Sequence, residues 1–125
     1  SDGKRLILGA EVVLVPGDPA AIKARMDDLA VQRRSKQPLE YASAGSTFKR
    51  PEGQFAAALI ETCGLKGTAI GGAQVSEKHA GFLINRGDAT CRDVLLLVEL
   101  VRETVLRRTG ITLELEIKTL GIQEV

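Results

Sequence analysis

Ala42-Ser43-Ala44-Gly45-Ser46-Thr47-Phe48-Lys49-Arg50-Pro51 is the stretch on which the reading of this chain turns. It combines small residues, adjacent hydroxyls, one aromatic of the kind that packs, and two cations. Gly45 lacks a Cβ, so the backbone there can turn sharply or come close to a ligand. The Ser46 hydroxyl can both donate and accept a hydrogen bond. Lys49 and Arg50 suit phosphate or carboxylate, Arg50 through its planar fork. Pro51 ends any strand or helix and opens the next turn. By composition alone this is a loop between two elements, with Ser46 capping one of them and Thr47 and Phe48 packing. Its bearing on function depends on what lies on either side.

Upstream, Leu6 to Val15 is rich in Leu, Ile and Val and stops at Pro16-Gly17, which predicts a strand. The chain opens with Ser1-Asp2-Gly3-Lys4 and no initiator Met. That pattern suggests a hairpin turn feeding a strand whose partner lies earlier in a longer polypeptide. Asp18 as N-cap and Pro19 at the first helical position start a helix that runs to about Ser35. Ile22, Met26, Leu29 and Arg33 share one of its faces. Arg33-Arg34-Ser35-Lys36 places cations in the last turn, where they complement the helix dipole. Pro38 ends it.

Downstream, Gln54 to Cys63 reads as a short helix with Phe55, Ala58, Leu59 and Thr62 on one face and Gly64 as its stop. Gly67 to His79 fits neither a dinucleotide fingerprint nor a P-loop. It reads as an irregular segment with a short strand near Ala69 to Gly71. Gly81 to Asn85 is a strand, and Arg86-Gly87-Asp88 a turn. A long helix from Thr90 to Arg108 carries a capping box of Thr90 with Asp93 and an apolar stripe of Val94, Leu97, Val98, Val101 and Val105. Gly110 closes it. Ile111 to Leu120 alternates, with Ile111, Leu113, Leu115 and Ile117 on one side and Thr112, Glu114, Glu116 and Lys118 on the other, as a half-buried strand does. The sum is a single α+β domain, helices packed on a small sheet.

Composition narrows the function. A length of 125 residues suffices for a core. A net charge of +1 gives no basic stripe for nucleic acid, and 3% aromatics leave no stacking platform for single-stranded bases. No apolar run approaches a membrane span, and no signal peptide is evident. Two isolated cysteines and one histidine cannot make a structural zinc site, so no metal is expected. Reduced thiols fit a cytoplasmic setting.

Four pieces in register resemble one family. They are Lys36-Gln37-Pro38, Ser43 to Pro51, Gly71-Gly72-Ala73-Gln74-Val75-Ser76-Glu77-Lys78-His79-Ala80-Gly81-Phe82, and Glu114-Leu115-Glu116-Ile117-Lys118-Thr119-Leu120-Gly121. Their order and spacing are similar to the C-terminal part of the UDP-N-acetylenolpyruvoylglucosamine reductase (UDP-N-acetylmuramate dehydrogenase) family. The resemblance implies that residues 1–40 are the end of a preceding flavin-binding region, a strand and linking helix. Residues 41–125 would be the C-terminal substrate-binding domain. It implies a full-length oxidoreductase of peptidoglycan precursor synthesis, with FAD and NADPH as cofactors and the FAD site outside this chain. The substrate would be a UDP-sugar enolpyruvyl ether, and the structural partner the flavin-binding region of the same polypeptide. Ser46 falls at the place of the general acid and Glu116 at that of the assisting glutamate. Lys36, Arg50 and His79 fall where substrate contacts are expected, and Lys49 joins them as substrate-binding on its charge alone. Arg50 stands where some members carry asparagine.

The residue chemistry is compatible. Hydride addition to an enolpyruvyl carbon leaves negative charge on its neighbour, which must be protonated. A serine hydroxyl is a weak acid, so placement has to contribute more than acidity. Glu116 on the polar face of a strand is otherwise an ordinary solvated residue, and His79 otherwise a satisfied structural histidine. Two further readings remain: a stand-alone module that binds a nucleotide-sugar or phosphate without chemistry, and a structural domain with a polar loop.

Overall fold

The computed structural model describes residues 8–121. They form three helices and a four-stranded antiparallel sheet in the order α1 (Pro19–Lys36), β1 (Ala42–Ser46), α2 (Ala56–Thr62), β2 (Ala69–Ile70), β3 (Ala73–Val75), β4 (Phe82–Asn85) and α3 (Cys91–Thr109). The α+β class read from the sequence is the class found. Two compact units divide between Gln32 and Arg33.

In the first unit, the Asp18 carboxylate accepts the Ala21 N–H at 2.8 Å, so Asp18 caps α1 as expected. No residue of α1 is buried. The strand expected over Leu6–Val15 is not found in its described part. Residues 8–18 carry no strand, and Leu8, Val13 and Val15 are 90% or more exposed. β-propensity becomes a strand only through a ladder, and this segment pairs with none among the described residues. Leu6, and the turn expected at Ser1–Lys4, lie outside the described residues.

The second unit holds the sheet, in the order β1-β4-β3-β2, so β1 and β2 are its edges. Leu97, Val98, Val101 and Val105 of α3, with Leu59 and Ile60 of α2, pack on Val75 and Leu83 of the sheet and on Phe48 and Leu113. The α3 stripe is the predicted one. Both halves of its capping box form, with Asp93 N–H to Thr90 Oγ1 at 3.1 Å and Thr90 N–H to Asp93 Oδ2 at 2.9 Å. Gly110 ends α3 at φ 74°.

Four expectations are corrected. Ala42 to Ser46 is a strand rather than loop, because its backbone pairs with β4. The buried face of α2 is Ala56, Leu59 and Ile60, not Phe55, Ala58 and Thr62. Phe55 sits at the N-cap in extended conformation and lies outside the core under the Arg50 guanidinium, 3.9 Å from its ring centroid. Residues 67–79 contain two strands, a β2–β3 hairpin turning at Gly71-Gly72. Ile111 to Leu120 is extended but not a strand. Its alternation holds, with Leu113 buried and Thr112, Glu114 and Glu116 exposed. Its pairing amounts to one bridge, Phe48 with Leu115.

Candidate functional site

The site grows from an irregularity in the β1–β4 ladder. Ala42 pairs with Asn85 and Ser43 with Ile84, but Ser46 pairs with Phe82, so one extra β1 residue is accommodated between Ser43 and Ser46. Gly45, at φ 85°, takes a conformation that a side chain would oppose. Past this shift the Thr47 N–H donates to the Gly81 carbonyl at 2.9 Å. The Thr47 hydroxyl accepts the Leu83 N–H at 3.1 Å.

The last extended segment docks on the same few residues. Lys49 N–H donates to the Glu114 carbonyl at 2.8 Å, and Glu116 N–H to the Thr47 carbonyl at 3.0 Å. Residues 65 apart in sequence are thereby joined, and Lys49 Nζ closes on Glu114 Oε2 at 3.0 Å. The hydrogen bond from Glu114, then its charge, raise the Lys49 pKa, with a smaller contribution from the Glu116 charge. Glu116 therefore lies within the electrostatic reach of Lys49. The Ser46 hydroxyl is exposed, and its nearest acceptor is the Phe48 carbonyl at a long 3.4 Å.

Ser46, Lys49 and Glu116 are thus brought to one edge of the sheet. Arg50 is next to them, but its guanidinium is spent on Phe55 and on the Gln54 carbonyl at 3.3 Å. Lys49, Arg50, Glu52, Thr112 and Glu114 line an open groove of about 350 Å³. Two carboxylates in that lining offset its two cations. His79 is half-buried and its Nδ1 accepts the Gly81 N–H at 3.1 Å, which puts the proton of the neutral ring on Nε2. Its ring stands edge-on to Phe82 at 4.9 Å, and Phe82 is the partner of Ser46. His79 thus adjoins the Ser46 position through one shared neighbour. Lys36 is an exposed residue at the end of α1 and lines none of the grooves described here. Instead Arg33 and Gln37, one hydrogen bond apart at 3.1 Å, line a groove with Ser43, Gly45 and Phe82. The sequence marks Arg33 only as a charge in the last turn of α1 and Thr47 only as packing; the Arg33–Gln37 bond is local, whereas the partners of Thr47 are set by tertiary contacts.

Among the described residues no group of three or more His, Cys, Asp or Glu side chains is placed to hold a metal ion. Among the described residues no helix is long and apolar enough to cross a membrane.

Fold and site together define a small antiparallel α+β domain that presents a serine, a lysine and a glutamate on one polar edge. Residues 37–120 match the family model described as UDP-N-acetylenolpyruvoylglucosamine reductase, C-terminal domain. The chain is 55% identical over 116 residues to the UDP-N-acetylenolpyruvoylglucosamine reductase of Geobacillus kaustophilus, a match covering 93% of this chain and 38% of that protein. It is 56% identical to the reductase of the same name from Clostridium novyi, with the same coverage. The crystal structure of UDP-N-acetylenolpyruvylglucosamine reductase (MurB) from Thermus caldophilus superposes with a TM-score of 0.65 at 39% identity, covering 79% of this chain and 34% of that one. The chain belongs to the UDP-N-acetylenolpyruvoylglucosamine reductase family, C-terminal domain. It spans 38% of the length of these curated relatives.

Proposed function

We propose that this chain is the substrate-binding, proton-donating part of a reductase that converts UDP-N-acetylenolpyruvoylglucosamine to UDP-N-acetylmuramate in the cytoplasm, for peptidoglycan. Residues 1–40 belong in this reading to the end of the flavin-binding region, and residues 41–125 to the domain that closes on the substrate. FAD, reduced by NADPH, supplies the hydride. The described residues do not suit a flavin. The grooves described above are open, and the Tyr41 and Phe55 rings each have an arginine over one face. Both cofactors are therefore assigned to the rest of the polypeptide, and no step by this chain's residues is routed through them.

The reading is supported by an exposed serine hydroxyl with only a long internal contact, free to point at a ligand, and by the backbone bond that docks Glu116 on Thr47, the residue after Ser46. Ser46 donates its proton to the carbon that has gained negative charge, and recovers it from solvent. Glu116 assists by accepting or donating a hydrogen bond at the enol group. Lys49 contributes positive charge near the developing carboxylate-enolate. Lys36, Arg50 and His79 take the sugar and diphosphate, Arg50 after leaving Phe55.

Amide NMR on the full-length enzyme titrated with the UDP-sugar enolpyruvyl ether tests this. Shifts concentrated at Ser46, Lys49, Arg50, His79 and Glu116 are expected. Saturable binding with these amides unmoved rejects the assignment.

A further inference from the structure

We propose that Thr47 is a positioning residue, whose hydroxyl holds Ser46 and Glu116 in mutual register. The inference rests on the proton-donating role given above to Ser46. The β1–β4 ladder slips by one residue between Ser43 and Ser46. A slip of this kind disrupts the ladder locally. Within β4, Phe82 turns its carbonyl to β3 by accepting from Ser76, whereas Gly81 turns its own to β1 by accepting from Thr47. By alternation Leu83 also faces β1, opposite the slip. Its N–H goes to the Thr47 hydroxyl at 3.1 Å, a contact spanning 36 residues and fully buried.

A side chain thus adds a buried acceptor across the slip. Thr47 is only 2% exposed, so no solvent replaces that acceptor if it is lost. The same residue donates its N–H to Gly81 and accepts from Glu116. It is bonded to Ser46 by the chain. One residue therefore sets the height of Ser46 on β4 and the depth at which Glu116 docks. Valine has the shape of threonine and lacks the hydroxyl, while serine keeps the hydroxyl and lacks the methyl.

The test is steady-state kinetics on the full-length enzyme with Thr47→Val, Thr47→Ala, Thr47→Ser and Ser46→Ala, well below each variant's melting temperature. Thr47→Val is expected to lower kcat by about 10- to 100-fold with KM within about threefold, the scale of a misplaced catalytic group. Thr47→Ser is expected to retain kcat within about threefold, because the acceptor survives. Hydrogen exchange should quicken in peptides covering 82–85 and 111–117 for valine and not for serine. If the valine variant does not fold, alanine is read in its place, with the same loss of kcat expected. Wild-type kcat in the valine or alanine variant, or equal losses in serine and valine, overturns the role of the hydroxyl. Ser46→Ala separates the two layers. If it abolishes turnover while Thr47→Val does not, the proton-donor reading stands and the Thr47 proposal falls. If Ser46→Ala turns over normally, the proton-donor reading falls and takes the proposal with it.

Discussion

The two ends of the sheet use polar groups in opposite ways. At the β2–β3 end they are consumed internally. The Asn85 side-chain carbonyl accepts the Gly87 and Ala89 N–H groups at 2.7 and 3.0 Å. The Arg86 N–H reaches the Gly72 carbonyl at 2.9 Å. The Asp93 carboxylate serves the Thr90 N–H, then the Thr90 hydroxyl side, then the Gly72 backbone, and these bonds lower its pKa below 3.8. At the β1 end, Ser46, Lys49, Glu114 and Glu116 are all exposed; Lys49 pairs with Glu114 at 3.0 Å, and the Ser46 hydroxyl reaches only the Phe48 carbonyl at 3.4 Å. The first end is built to hold the turn on α3. The second leaves hydrogen-bonding capacity facing outward, which is what a ligand edge requires.

If that contrast is right, substitutions at the two ends separate turnover from stability. The largest effect is expected for Ser46→Ala in the full-length enzyme. Turnover should fall by about 10²- to 10⁴-fold, the usual worth of a positioned proton donor, with the melting temperature unmoved. A variant that melts early but turns over would break the comparison from one side.

Gly72→Ala attacks the other end. A Cβ there would collide with the Ala89 backbone nitrogen and the Asp88 carboxylate. A loss of about 1–3 kcal/mol is expected in denaturant unfolding, since backbone cannot yield as a side-chain tip does. An unchanged midpoint would show that the turn is not locked. Removing the α3 cap by Thr90→Ala should cost about 1 kcal/mol.

The pH dependence follows from Asp93. Its pKa is lowered in the fold, so its contribution is fully present above the ordinary aspartate value of 3.8 and is lost as pH falls through the depressed value. Thermal melts from neutral to acid pH should show this loss, and Asp93→Asn should flatten it. A parallel acid slope in both proteins would remove Asp93 from the account. The smallest effect belongs to Lys49 and Glu114, 55% and 70% exposed, whose pairing is expected to leave the unfolding midpoint almost unmoved and to fade with added salt.

Local signals survived translation into structure wherever donor and acceptor are near in sequence. The capping box of Thr90 and Asp93, the stop at Gly110 and the cap at Asp18 are all readable because each closes within a turn of its helix. Gly71-Gly72 also carried a hairpin signal, two glycines between short runs. The flanking strands of two and three residues are too brief to show alternation, so the signal went unused. The apolar side of Ile111 to Ile117 was legible, but the number of ladder bonds was not, because that depends on how far the partner continues beyond Ser46. For the site, the residue types at Ser46, Lys49 and Glu116 were legible through family resemblance. Their convergence was not, since it runs through Thr47 and contacts 65 residues apart.

That separation also bears on how the molecule comes into being. The β2–β3 hairpin, the Thr90–Asp93 capping box and most of the core can close from residues 42–109 alone. The glutamate arm cannot, because it comes from the last extended segment and lands on β1's continuation across a long loop, the costly kind of closure. On a ribosome the serine half of the edge is therefore made early and stands incomplete while α3 is synthesised, and the arm arrives among the final residues of the described chain. The polar edge beside Ser46 is then completed only after α3 has been made.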